Sequence, residues 1–268
     1  MMRSLARTSE KRRMLKRKEI HLNGQKISYL DNEQAGRALI CLHGHFGCGA
    51  IFSFMEEIFS GRLILIDQRG HGNSDRGESY RTSDYVADLK AFCETERIDQ
   101  PIVLGHSLGG VNAYHYAAET KNVHKLIIED IGTEVAASNE FILGFPRDFR
   151  SLYEVQAAFE TANMGFDPYF IESIRYDGTT WKFQFNYEDM VTSQREMNGQ
   201  HWAQWDKVAC PILLMHGRNS WACTTSNMQA MERRNPHTRL VIYDDAAHTL
   251  HDDQRARFCS DVQAFLNE

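Results

Sequence analysis

Seven short runs rich in aliphatic and β-branched residues punctuate this chain: Ile27–Leu30, Ala38–Leu42, Leu63–Asp67, Ile102–Gly105, Lys125–Glu129, Ile212–Met215 and Leu240–Tyr243. Several are apolar without a break, as in Leu63-Ile64-Leu65-Ile66 and Ile102-Val103-Leu104. A strand that shows one face to water alternates apolar with polar residues, so an unbroken run needs cover on both faces. Amphipathic stretches of helical length lie near 83–97, 108–120, 223–234 and 253–266 and can supply that cover. In the last of them Phe258, Val262 and Phe265 recur at helical steps. Strands alternating with helices require right-handed crossovers and a mainly parallel sheet. The expected class is α/β, a mainly parallel central sheet flanked by helices, and 268 residues suit one such domain without internal repeats.

One interval breaks the alternation. From 134 to 206 no strong strand pattern is visible, yet the segment holds 15 of the 29 aromatic residues, over half of them in about a quarter of the length. Connections that long are uncommon unless they build a lid or a substructure. The expected organisation is a core from 20–133 and 207–268, a helical cap over 134–206, and a basic N-terminal extension over 1–19. The extension carries eight basic against two acidic residues, so the other residues hold a net charge of −12. An acidic body opposes nucleic acid, which needs clustered Lys and Arg to displace counterions. No apolar stretch approaches the ~18 residues of a membrane span, so no integral membrane association is expected. The six cysteines show no C-x-x-C and no zinc-site spacing, which reads as reduced thiols in the cytoplasm, with no metal and no cofactor. A small-molecule substrate is the expected partner.

The chemistry is concentrated at Gly105-His106-Ser107-Leu108-Gly109-Gly110, between the apolar run ending at Leu104 and the helical stretch from Leu108. This is a G-x-S-x-G sequence in a strand–turn–helix setting, a context that forces the serine out of a sharp turn. The following helix start offers N–H groups and a positive dipole end to developing negative charge, with Leu108 N–H as one donor.

Three further segments join that turn. They are Leu42-His43-Gly44-His45-Phe46-Gly47 after one strand, Asp67-Gln68-Arg69-Gly70-His71-Gly72-Asn73-Ser74 after the next, and Ala247-His248-Thr249-Leu250 near the end. In this order and spacing the four motifs resemble the α/β-hydrolase superfamily, its serine-nucleophile, esterase- or lactonase-like branch, over nearly all of the chain after residue 20. The resemblance implies an α/β-hydrolase fold with the cap inserted after the family's sixth strand, here Lys125–Glu129. It also implies Ser107 as nucleophile, His248 as its base and the His45 backbone N–H as second oxyanion donor. His43, His71, His106 and His216 stand in motif turns, where histidines hydrogen-bond loops.

The chain departs from the family at the third member of the triad. The expected acid lies three residues after a glycine past the seventh strand, but Met215-His216-Gly217-Arg218-Asn219-Ser220 places Ser220 there. A hydroxyl cannot offset the charge of an imidazolium. Some superfamily members draw the acid from the end of the sixth strand, where Ile128-Glu129-Asp130-Ile131 offers Asp130 first and Glu129 second, with Ser220 supporting the His248 contact. A serine rather than an aspartate nucleophile disfavours dehalogenase and epoxide hydrolase chemistry. The cap holds twelve acidic and five basic residues, a potential that disfavours anionic substrates. The expected activity is hydrolysis of a neutral, fairly apolar ester, lactone or thioester through an acyl-enzyme. The alternatives are a C–C bond or amide hydrolase with the same residues, and a non-catalytic ligand sensor.

Overall fold

The structure, a computed structural model, describes residues 15–162, 164, 165 and 167–268. Chain order gives β1 (Lys16–Leu22), β2 (Gln25–Asp31), β3 (Ala38–Leu42), β4 (Arg62–Ile66), α1 (Thr82–Thr95), β5 (Ile102–His106), α2 (Leu108–Thr120) and β6 (Lys125–Glu129). An insertion then carries β7 (Glu134–Val135), α3 (Leu152–Thr161), β8 (Ile174–Tyr176), β9 (Trp181–Phe183), α4 (Tyr187–Met197), β10 (Gly199–Gln200) and α5 (Trp202–Trp205). The chain returns to the sheet as β11 (Ile212–Gly217), α6 (Thr225–Arg234) and β12 (Thr238–Tyr243), and ends with α7 (Leu250–Asp253) and α8 (Arg255–Asn267).

The central sheet runs β1-β2-β4-β3-β5-β6-β11-β12. From β4 through β12 every pairing is parallel, while β1 and β2 add an antiparallel edge. The unbroken apolar runs follow from this architecture. Leu39, Cys41, Leu63 and Leu65 pack on one face with Phe52, Met55, Phe258, Val262 and Phe265. Ile40, Leu42, Ile64 and Ile66 turn to the other face, onto Tyr85, Leu89, Val111 and Met228. Both faces are dry, so neither parity of the strand can be polar.

The basic N-terminal extension ends earlier than expected, because Lys16–Leu22 forms the edge strand β1. Its sequence, KRKEIHL, buries only Leu22 and so lacks an apolar signal. Charge on an outermost strand also blocks edge-to-edge pairing with other chains. Arg17 Nη1 reaches the buried carboxylate of Asp67 at 2.7 Å, and Lys18 Nζ lies 3.3 Å from Asp31. The other basic residues, Arg3 to Arg13, lie outside the described residues.

The insertion after β6 is mainly helical, with two short antiparallel pairs, β7–β10 and β8–β9, that the sequence reading does not anticipate. Most of its aromatic residues make a core of its own: Phe145, Phe149, Phe159, Phe170, Phe183 and Tyr187 cluster with Met190 and with Phe46 from the sheet domain. Asp189 on α4 fastens it down, accepting from Arg76 Nε at 2.6 Å and from the Tyr80 hydroxyl at 2.7 Å. Among the described residues no helix is long and apolar enough to cross a membrane.

Candidate active site

Ser107 sits between β5 and α2 with φ 51° and ψ −118°, outside the ordinary range for a residue with a side chain. The turn closes because its neighbours are small. A Cβ on Gly105 would lie 2.2 Å from Gly109 O, and one on Gly109 would lie 2.1 Å from Leu42 O. Either clash would push the helix off the strand. Ser107 N–H donates to Glu129 O at 3.1 Å, which ties the turn to the end of β6. Among the described residues neither Leu108 N–H nor His45 N–H has a protein acceptor, so both remain available at the start of α2 and in the loop after β3.

Asp130 follows β6 and is fully buried, with φ 49°. That left-handed backbone swings its carboxylate toward the neighbouring strand end instead of continuing β6. The parallel register pairs Glu129 with Met215, so the ends of β6 and β11 abut. A carboxylate from either end therefore enters the same space. Asp130 Oδ2 accepts from His248 Nδ1–H at 2.8 Å and from the Ser220 hydroxyl. Its Oδ1 accepts from His216 Nδ1–H at 2.9 Å and from Gly217 N–H at 3.0 Å. Burial alone would raise the pKa of this carboxyl, but hydrogen bonds from His216, His248 and Ser220 outweigh it and hold the group below its ordinary value.

The other candidates fall into different places. Glu129 points away from His248 and accepts from His251 Nδ1–H at 2.7 and 2.9 Å, and from His251 N–H at 2.9 Å. Ser220 touches Asp130, not the His248 ring, so it acts on the imidazole only through the carboxylate. His216 is not a loop anchor: it spans Asp130 and the Thr225 hydroxyl, the latter at 2.9 Å from Nε2. Its role was hidden in the sequence because nothing there says which strand end faces it. His106 Nε2–H donates to His248 O at 3.0 Å and holds that backbone in place. His43 accepts from Gln68 N–H at 3.0 Å. The His45 ring meets Ser193 Oγ at 2.8 Å, and burial together with the nearby His43 and His248 pushes its pKa down to about 3, so it is neutral.

Ser107 and His248 line one cavity of about 440 Å³ between the sheet edge and the insertion. The insertion supplies Phe141, Tyr169, Phe170 and Gln194, and the loop after β11 supplies Trp221. No sequence motif marks these wall residues, because they converge only through tertiary packing. Atoms of Asp130, His216 and Cys223 lie near enough to ligate one metal ion. Here the His216 Nδ1 proton already binds Asp130, and burial raises the Cys223 thiol well above its ordinary pKa.

Comparison with known proteins agrees with this fold. The profile of the alpha/beta hydrolase fold family matches residues 37–254. A Bacillus subtilis (strain 168) protein provisionally named 2-succinyl-6-hydroxy-2,4-cyclohexadiene-1-carboxylate synthase is 26% identical over 88% of this chain and 92% of its own. The sn-1-specific diacylglycerol lipase ABHD11 of Xenopus laevis is 24% identical over 88% of this chain and 81% of its own. Among solved structures, E-2-(acetamidomethylene)succinate hydrolase superposes with a TM-score of 0.84 at 18% identity, covering 95% of this chain and all of that one. The match runs through the Ser107 turn and the loop that carries His248, and the chain belongs to the alpha/beta hydrolase fold family of enzymes.

Proposed function

We propose that this enzyme is a serine hydrolase acting on neutral, fairly apolar carboxylic esters, lactones or thioesters. One observation carries the reading: His248, hydrogen-bonded to Asp130, opens onto the same aromatic-walled cavity as Ser107, and among the described residues no Lys or Arg lines that cavity. The His248 Nδ1–H bound to Asp130 leaves Nε2 as the basic nitrogen. Ser107 Oγ attacks the carbonyl carbon while His248 takes its proton. The carbonyl oxygen gains charge against Leu108 N–H and His45 N–H. The bond to the leaving oxygen or sulfur then breaks, His248 returns the proton to it, and an acyl-Ser107 ester remains. A water deprotonated by His248 attacks that ester and releases acid and free Ser107. Asp130 stays ionised throughout and offsets the imidazolium charge.

The lipase among the relatives acts, by its name, on an ester, in line with this reading. The names of the other two point to carboxylate-bearing compounds, for which the described residues of the cavity offer no Lys or Arg. All six cysteines are free thiols, which supports a cytoplasmic setting. The test is treatment with a fluorophosphonate followed by intact mass, beside turnover of p-nitrophenyl butyrate. The expected result is one adduct that Ser107→Ala abolishes together with turnover. A folded protein with neither adduct nor turnover would make the chain a ligand sensor.

A further inference from the structure

Among the described residues one carboxylate lines the cavity, and no Lys or Arg pairs with it. Asp167 lines the wall beside Tyr169, Phe170 and Thr249. Its Oδ1 accepts from Tyr169 N–H at 2.9 Å, which starts the turn of 3-10 helix at Pro168–Ser173. Its Oδ2 lies 3.5 Å from the Thr249 hydroxyl, one residue from His248. Among the described residues no Lys or Arg pairs with it. Elsewhere the insertion pairs most of its carboxylates, among them Asp189 with Arg76, Glu188 with Arg147, Asp148 with Lys182, Glu140 with Arg195 and Glu154 with Arg150. Burial raises the pKa of Asp167 and the nearby Asp252 adds to the rise, against the Tyr169 N–H and the nearby His248 and His251. A partly desolvated carboxylate with no Lys or Arg beside it, and only the nearby His248 and His251 to offset its charge, is costly, and a ligand cation would relieve that cost.

We propose that Asp167 sets the charge selectivity of the site, so that it ranks substrates as ammonium-bearing above neutral and neutral above carboxylate-bearing. The proposal rests on the acyl-hydrolase reading and extends its substrate class from neutral to ammonium-bearing acyl compounds. The physical cause is direct: within a cavity of this size a ligand charge comes within several ångströms of Asp167. At the effective dielectric of a partly buried site that interaction is worth about tenfold or more in a rate or binding constant. The aromatic walls suit the sign, since the faces of Tyr and Trp attract a cation and do nothing for a carboxylate.

The experiment uses the full chain and three near-isosteric p-nitrophenyl esters, of 6-aminohexanoic acid, heptanoic acid and, as monoester, pimelic acid. The expected kcat/KM falls in that order, by about tenfold or more from first to last. Asp167→Asn keeps an oxygen for Tyr169 N–H and should flatten the series to within about threefold, chiefly by admitting the pimelate ester. If that variant fails to fold by circular dichroism, Asp167→Ser offers an oxygen at the same position and carries the same expectation. The unreactive primary amides of the three acids, measured by calorimetry, should show the same order in Kd. That arm separates the two readings: absent turnover with ordered Kd values overturns the hydrolase, not the charge selection. A flat series in the wild type, or an unchanged slope in a folded Asp167→Asn, overturns the role of Asp167.

Discussion

Two consecutive carboxylates at the end of β6 each hold a histidine, and they hold it for different ends. Glu129 and His251 are sealed: both side chains are fully buried, and His251 is anchored through its ring and its backbone N–H. Asp130 and His248 form the same kind of pair, but the His248 ring opens onto the cavity and rests against Trp221, with ring centroids 4.7 Å apart. The difference lies in what each histidine's second nitrogen can reach. His251 Nε2 is buried, makes no hydrogen bond among the described residues, and has the Asp252 carboxylate 3.7 Å away rather than a cavity. His248 opens onto the cavity that Ser107 also lines. Identical chemistry thus gives a fastening on one side of the strand end and a candidate reaction centre on the other.

Asp130→Asn breaks that comparison most severely. It should lower kcat by about 10³–10⁴-fold, as expected when a triad acid loses its charge and the imidazole its correct tautomer. Steady-state ester hydrolysis checks this, and a loss below tenfold in a folded variant would remove Asp130 from the mechanism. The abutting ends of β6 and β11 sharpen the claim, because Ser220 already bonds the oxygen that His248 uses. Adding Ser220→Asp to Asp130→Asn places a carboxylate at that spot from the other strand. At least about tenfold of the lost kcat should return, on the scale of one charge-assisted hydrogen bond.

Glu129→Gln should act on stability instead. Replacing its charge leaves His251 a neutral partner and costs about 2 kcal/mol, the scale of a hydrogen bond between charged groups, with kcat changing by less than about tenfold. The sign with pH follows from His251. Burial lowers its pKa, but the Glu129 carboxylate more than reverses this, so the folded value is raised. The resulting stabilisation is complete below the unfolded pKa of about 6.5 and fades as pH rises through the folded value. The difference in denaturation midpoint between wild type and Glu129→Gln should therefore be larger at pH 5.5 than at pH 9. An equal or inverted difference would refute the ion pair. Smallest is Ser220→Ala. It removes one of several donors to Asp130, and kcat should fall about threefold to tenfold with KM unchanged.

Much of this was legible in the chain because it is local. The dry parallel sheet is visible as unbroken apolar runs, and the serine turn as a strand, two glycines and a helix start. The β1 strand was not, since an edge strand carries no apolar alternation and its charges find Asp67 and Asp31 only after folding. The sequence also offered Glu129, Asp130 and Ser220 as three related candidates around one imidazole. In the fold they separate into a partner of His251, a partner of His248 and a donor to that second carboxylate. A strand end has two sides, and one positive φ at Asp130 decides which carboxylate meets His248.

The sequence by itself determined the sheet, its helical cover, the inserted segment and the position of the serine, because periodicity and close-approach glycines act over a few residues. Only the tertiary structure decided which carboxylate meets which histidine, and which side chains from the insertion wall the cavity. Those pairings join residues about 120 positions apart, such as Asp130 with His248 and Glu129 with His251, and no local propensity encodes them. They are fixed by strand order, register and packing of the whole chain.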